Sequence, residues 1–172
     1  MLERQPQDTR ARLIHGLGLY HENPGDSATY PRVEAELQAF ARAPAADPRA
    51  LRVLARLAME RGLWEQARGH LAAAALLEPG DTDDARGIAF ASLRLGDHAG
   101  ARAAFDRVCA SVPDDAQAWY GAGVACASAG DPEAALERLT RCLSVDPAFA
   151  AARLRAARLL AELGRCRQAV EM

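Results

Sequence analysis

The chain has 172 residues, of which 50% are hydrophobic, 26% charged and only 5% aromatic. Its formal charge of −2, from 21 basic and 23 acidic residues, leaves no electrostatic footprint for nucleic acid or an anionic membrane. Every basic residue is Arg and 40 residues are Ala, so strong helix formers dominate and a β fold is excluded.

The predicted elements follow in chain order. The first ten residues, MLERQPQDTR, are polar and carry no secretory signal. Residues 9–21 and 31–43 each show a helical pattern, separated by the loop NPGDSATYP at 23–31. From residue 48 onward the chain is periodic. Gly62, Gly96, Gly130 and Gly164 are 34 residues apart, and Ala67, Ala101, Ala135 and Ala169 keep the same interval. Pro79, Pro113 and Pro147 share it, as do Leu71, Phe105 and Leu139. A period of this length marks a repeat protein whose units bury their apolar faces on one another. Each period reads as two helices, 82–94 and 98–111 in the best-defined copy. Gly96 stands where a left-handed turn ends the first helix, and Asp97 and Asp131 stand at N-cap positions. Pro132 fits the first helical position, where its missing N–H costs nothing. The prolines at the end of each period break the chain, and the connections are short enough only for antiparallel hairpins.

These positions resemble the tetratricopeptide-repeat family, whose pattern runs from a Trp through Leu-Gly, a large residue, Gly, Ala, Phe and Ala to a closing Pro. In the copy at 116–149 the matching residues are Trp119, Ala122, Gly123, Cys126, Gly130, Ala135, Leu139, Cys142 and Pro147. The copies at 48–81 and 82–115 match in the same register, a fourth at 150–172 stops within its second helix, and 11–47 aligns as a divergent first repeat after a three-residue insertion. The resemblance implies one all-α domain over 1–172, a right-handed α-solenoid of antiparallel helical hairpins with about nine to ten helices.

The resemblance also implies a concave groove lined by the first helix of each repeat. On the family's pattern that groove presents Arg52, Arg56 and Arg86, then Phe90, Tyr120 and Val124, then Arg155 and Arg158. Arginines flanking an apolar middle suit a protein or peptide partner with acidic groups around an apolar anchor. The competing expectation is that these arginines pair with acidic neighbours of their own chain. Reversing Arg52 and Arg86 to Glu is expected to weaken partner binding while the chain stays helical. Gly16, Gly87 and Gly121 share the sixth repeat position, which implies close approach there by either a ligand or a neighbouring helix. The carboxylate clamp of chaperone-binding relatives is not matched, because Gly87, Gln117 and Gly121 replace its polar residues.

No constellation points to chemistry. The four His are scattered, and Cys109, Cys126, Cys142 and Cys166 form neither a CxxC pair nor a Cys–His cluster. The cysteines read as small buried hydrophobes in a reducing compartment, with a zinc site or disulfide framework as the alternative. Asp81, Asp83 and Asp84 sit at a repeat junction, where helix capping accounts for them. No catalytic residue, metal or cofactor is expected, and the longest apolar run, Leu71 to Leu77, is too short to span a bilayer. A cytoplasmic, non-catalytic protein-interaction scaffold is the favoured function. The alternatives are the repeat module of a larger enzyme, such as a sulfotransferase or glycosyltransferase, and a chaperone resembling those of type III secretion translocators. Because the last repeat is incomplete, Leu159, Leu160, Leu163 and Val170 are expected on an open apolar face. That face belongs either to a longer protein or to a homodimer through the C-terminal hairpin.

Overall fold

The computed structural model describes residues 6–42, 46–165 and 167. Among these residues the chain is all-α and divides into two compact units, 1–84 and 85–172. The first unit holds α1 (Pro6–Glu22), α2 (Tyr30–Leu37) with a 3-10 turn at Gln38–Phe40, α3 (Pro48–Glu60) and α4 (Trp64–Leu77). Helix α5 (Thr82–Arg94) begins at its end. The second unit continues through α6 (His98–Ser111), α7 (Ala116–Ser128), α8 (Pro132–Val145) and α9 (Ala150–Glu162).

The predicted helices 82–94 and 98–111 match α5 and α6 residue for residue. The first two differ: α1 starts earlier than residue 9, and the helix expected over 31–43 ends at Leu37 and tightens into the 3-10 turn. The turn seats Phe40 in the core and lets its carbonyl accept from Asp47 N–H at 3.0 Å.

The periodic residues do the local work expected of them. Gly62, Gly96, Gly130 and Gly164 have φ of +74°, +78°, +83° and +72°, the left-handed region that a side chain resists. The residue after each glycine donates its N–H to a carbonyl five positions back: Leu63 to Ala58, Asp97 to Ser92, Asp131 to Cys126 and Arg165 to Leu160. This is the Schellman closure of a helix C-terminus. Asp97 then caps α6 by accepting from Gly100 N–H at 2.9 Å, and Asp131 caps α8 through Ala134 N–H at 3.0 Å. Asp47 and Asp115 cap α3 and α7 in the same way.

In the first unit, Leu13, Tyr30, Val33 and Leu37 of α1 and α2 pack with Ala50, Val53, Leu54 and Leu57 of α3. Each such aliphatic side chain contributes about 1.5–3 kcal/mol on burial. The second unit has two cores. One joins Ala85 and Ala89 of α5, Phe105 and Val108 of α6 and Ala118 and Ala122 of α7. The other joins Cys126, Leu139 and Cys142 with Ala152, Ala156 and Leu159 of α9. Small residues on the first helices let the bulky ones of the second helices close in. A Cβ on Gly121 would lie 2.5 Å from Cε1 of Phe105, and one on Gly16 would lie 2.8 Å from Cδ2 of Leu37. At both positions the close approach is by a neighbouring helix.

Candidate partner-binding faces

Residues four apart on a helix share a face. The fifth and ninth positions of the successive repeats therefore form pairs: Arg52 and Arg56 on α3, Arg86 and Phe90 on α5, Tyr120 and Val124 on α7, Leu154 and Arg158 on α9. The structure gives these pairs different surroundings.

In the first unit Arg52 is saturated by acids of its own chain. Its guanidinium grips Asp84 as a fork, Nε to Oδ1 and Nη2 to Oδ2, both at 2.9 Å. It also reaches Glu78 at 2.8 Å and Asp81 at 2.9 Å. Asp84 is 1% exposed, and its hydrogen bond to Arg52 raises the guanidinium pKa above its ordinary value. Asp81 caps α5 as expected, accepting from Asp83 N–H at 2.8 Å. Asp84 has the further role of Arg52's buried counter-ion. Reversing Arg52 would set a fourth carboxylate among three, so the expected retention of fold in that variant is withdrawn. Arg56 is exposed and makes no ion pair among the described residues.

In the second unit Arg86 meets Asp115 at 2.6 Å. Tyr120 lies half-buried against Phe149, ring centroids 5.2 Å apart and tilted by 30°. Phe90 and Leu154 are 46% and 65% exposed, and Val124 is half-buried. Arg155 is half-buried with its Nε shielded and lacking a hydrogen-bond partner, and Arg158 is exposed. Neither forms an ion pair among the described residues.

One regularity underlies these contacts. The fifth position of a repeat touches the last position of the same repeat: Arg52 with Asp81, Arg86 with Asp115, Tyr120 with Phe149. The period puts these residues 29 apart each time, a signal present in the sequence but visible as a contact only once the helices pack. Each pair ties a first helix to the residue just before the next repeat.

Other predicted features fall into place. Trp119 packs in the second unit, donates its indole N–H to Pro113 at 2.8 Å, and lies under the guanidinium groups of Arg138 and Arg141 at 5.7 and 5.9 Å. Cys109, Cys126 and Cys142 are buried free thiols, and burial pushes Cys109 and Cys142 up to about 11. Cys166 lies outside the described residues. The expected open apolar face at the C-terminal hairpin needs correction. Leu159 and Leu160 are only 8% and 7% exposed, because α9 turns them inward, Leu159 against the α7–α8 core. Leu163 is half-buried, and Val170 lies outside the described residues. No helix among the described residues is long and apolar enough to cross a membrane.

Helices closed by periodic glycines, with outward residues recurring at fixed positions, define an all-α helical-repeat protein. Two models described as tetratricopeptide repeat match residues 87–137 and 126–172. The chain belongs to the tetratricopeptide-repeat family, a class of protein-interaction modules, and it is a scaffold of that class. No curated protein matches it significantly. Solved structures do. One titled "Crystal structure of MamA protein" is 18% identical with a TM-score of 0.85, covering 97% of this chain and 88% of that one. A MamA structure from Desulfovibrio magneticus RS-1, beginning at its residue 41, is 16% identical with a TM-score of 0.83, covering 98% and 92%. A third MamA structure is 20% identical with a TM-score of 0.78, covering 87% and 90%. At these identities the likeness is one of fold.

Proposed function

We propose that the chain is a non-catalytic scaffold that holds a segment of a partner protein against the outward faces of its first helices. The observation that carries this is the exposure of Phe90 and Leu154 at the positions where the family's binding face lies. Large apolar side chains held in the open on a packed helix are characteristic of contact surfaces, and aromatic and Arg residues are the ones that anchor partners. Tyr120, Val124, Arg155 and Arg158 complete the set in the second unit. In the first, Arg52 is engaged by its own chain and Arg56 is left for contact.

Photo-crosslinking in the source cells tests this. A benzophenone side chain at position 90, 124 or 154 is expected to capture protein adducts that the same group at position 76 or 110, on the second helices, does not. Adducts formed only from positions 76 and 110 would overturn the proposal.

A further inference from the structure

We propose that the first-helix face of the second unit selects a protein segment with an apolar anchor beside acidic side chains, whose carboxylates are received by Arg155 and Arg158. This rests on the scaffold function above and names the chemistry of its partner.

Charge accounting within the unit supports it. Arg86 is neutralised by Asp115, and Arg138 by Asp106 at 2.5 Å. Asp131 caps α8 and faces Arg102 at 3.8 Å. These three acids are thus committed, while Arg155 and Arg158 form no ion pair with a carboxylate among the described residues. Glu162, one turn beyond Arg158, forms no ion pair with it. Arg155 is half-buried, and its Nε is shielded without a hydrogen-bond partner among the described residues, as is that of Arg138, but Arg155 has no ion pair there to hold its guanidinium. A shielded N–H donor without an acceptor is costly, and a carboxylate meets the guanidinium fork with two parallel bonds.

The apolar part of the face has the opposite character. Phe90 and Leu154 are exposed, and Tyr120 and Val124 present half-buried surface between them in chain order. Apolar positions therefore run from α5 to α9, where Leu154 stands beside Arg155. Two cations without an ion pair among the described residues, beside exposed apolar side chains, fit a peptide. A polyphosphate backbone calls for an extended basic track, and the chain's net charge is −2.

The test is selection of a random 12-residue phage-displayed peptide library on the full chain, repeated on R155E/R158E and on the exposed-site variant R158E alone. R107E/R141E serves as a charge-matched control, and circular dichroism checks each fold. Selection on the wild type is expected to enrich peptides joining an aromatic or large aliphatic residue to Asp or Glu. Synthetic copies are expected to lose at least about tenfold in affinity with R158E, and R155E/R158E is expected to reverse the preference toward basic peptides. Enrichment without acidic bias, or acidic bias unchanged by R158E, would overturn this inference and leave the scaffold proposal standing. No enrichment of any peptide would overturn both.

Discussion

The repeat junctions at Arg52 and at Tyr120 use the same two positions of the 34-residue period for opposite physics. At the first, a guanidinium is held by three carboxylates, one of them almost wholly buried. At the second, two aromatic rings lean on each other without charge. Both join a first helix to the last residue of its own repeat, so the geometric demand is a side-chain contact of a given reach and the chemistry is free to vary. The consequence for function is that the ionic version consumes its arginine. A basic residue at a binding position is available to a partner only where the repeat does not use it to hold itself together.

Breaking the ionic junction carries the largest expected effect. Arg52→Met leaves Asp84 buried without its counter-ion and is expected to lower unfolding free energy by about 3–5 kcal/mol in urea denaturation. Adding Asp84→Leu is expected to restore most of that loss, because the cost lies in the unpaired charge. Failure of the double variant to recover would mean that Arg52 contributes mainly by packing. At the aromatic junction, Tyr120→Ala is expected to cost about 1–3 kcal/mol, insensitive to salt, from lost stacking and burial. Overpacking gives a similar scale: Gly121→Val forces a side chain against Phe105 and is expected to lose about 1–3 kcal/mol. The Arg86–Asp115 pair is more exposed, and a double-mutant cycle is expected to give a coupling of about 0.2–1 kcal/mol that shrinks as salt rises.

The smallest effect is chemical. Cys109 and Cys142, ordinarily near 9, are held neutral up to about 11, so they are expected to resist a thiol reagent at pH 8 in the native state and react on unfolding. The sign follows from linkage. A raised thiol pKa adds stability that is complete below the unfolded value of about 9 and is lost as pH climbs through 11. A thermal melt at pH 8 and at pH 10.5 is expected to show the lower midpoint at the higher pH. An equal or higher midpoint there would contradict this assignment.

The fold was legible because its determinants are local and repeated. A glycine at a left-handed turn, an aspartate at an N-cap and a proline after a second helix each act within a few residues, and the 34-residue interval multiplies the signal. The first hairpin was read less well, since the three-residue insertion breaks that register. The candidate site was legible only as positions. Nothing local tells whether Arg52 points at a partner or at Asp84, thirty-two residues away, and that choice changes its role from contact to support. The same holds for Leu159, which follows the pattern of an open face but turns into a core made by other helices. Local backbone preference and periodicity thus determined that the chain is a helical repeat and where the helices of its best-defined repeat begin and end. Tertiary structure decided which charges are spent, which apolar groups are covered and which remain for a partner. Burial and ion pairing depend on neighbours brought together across the chain, and one-dimensional spacing does not encode them directly.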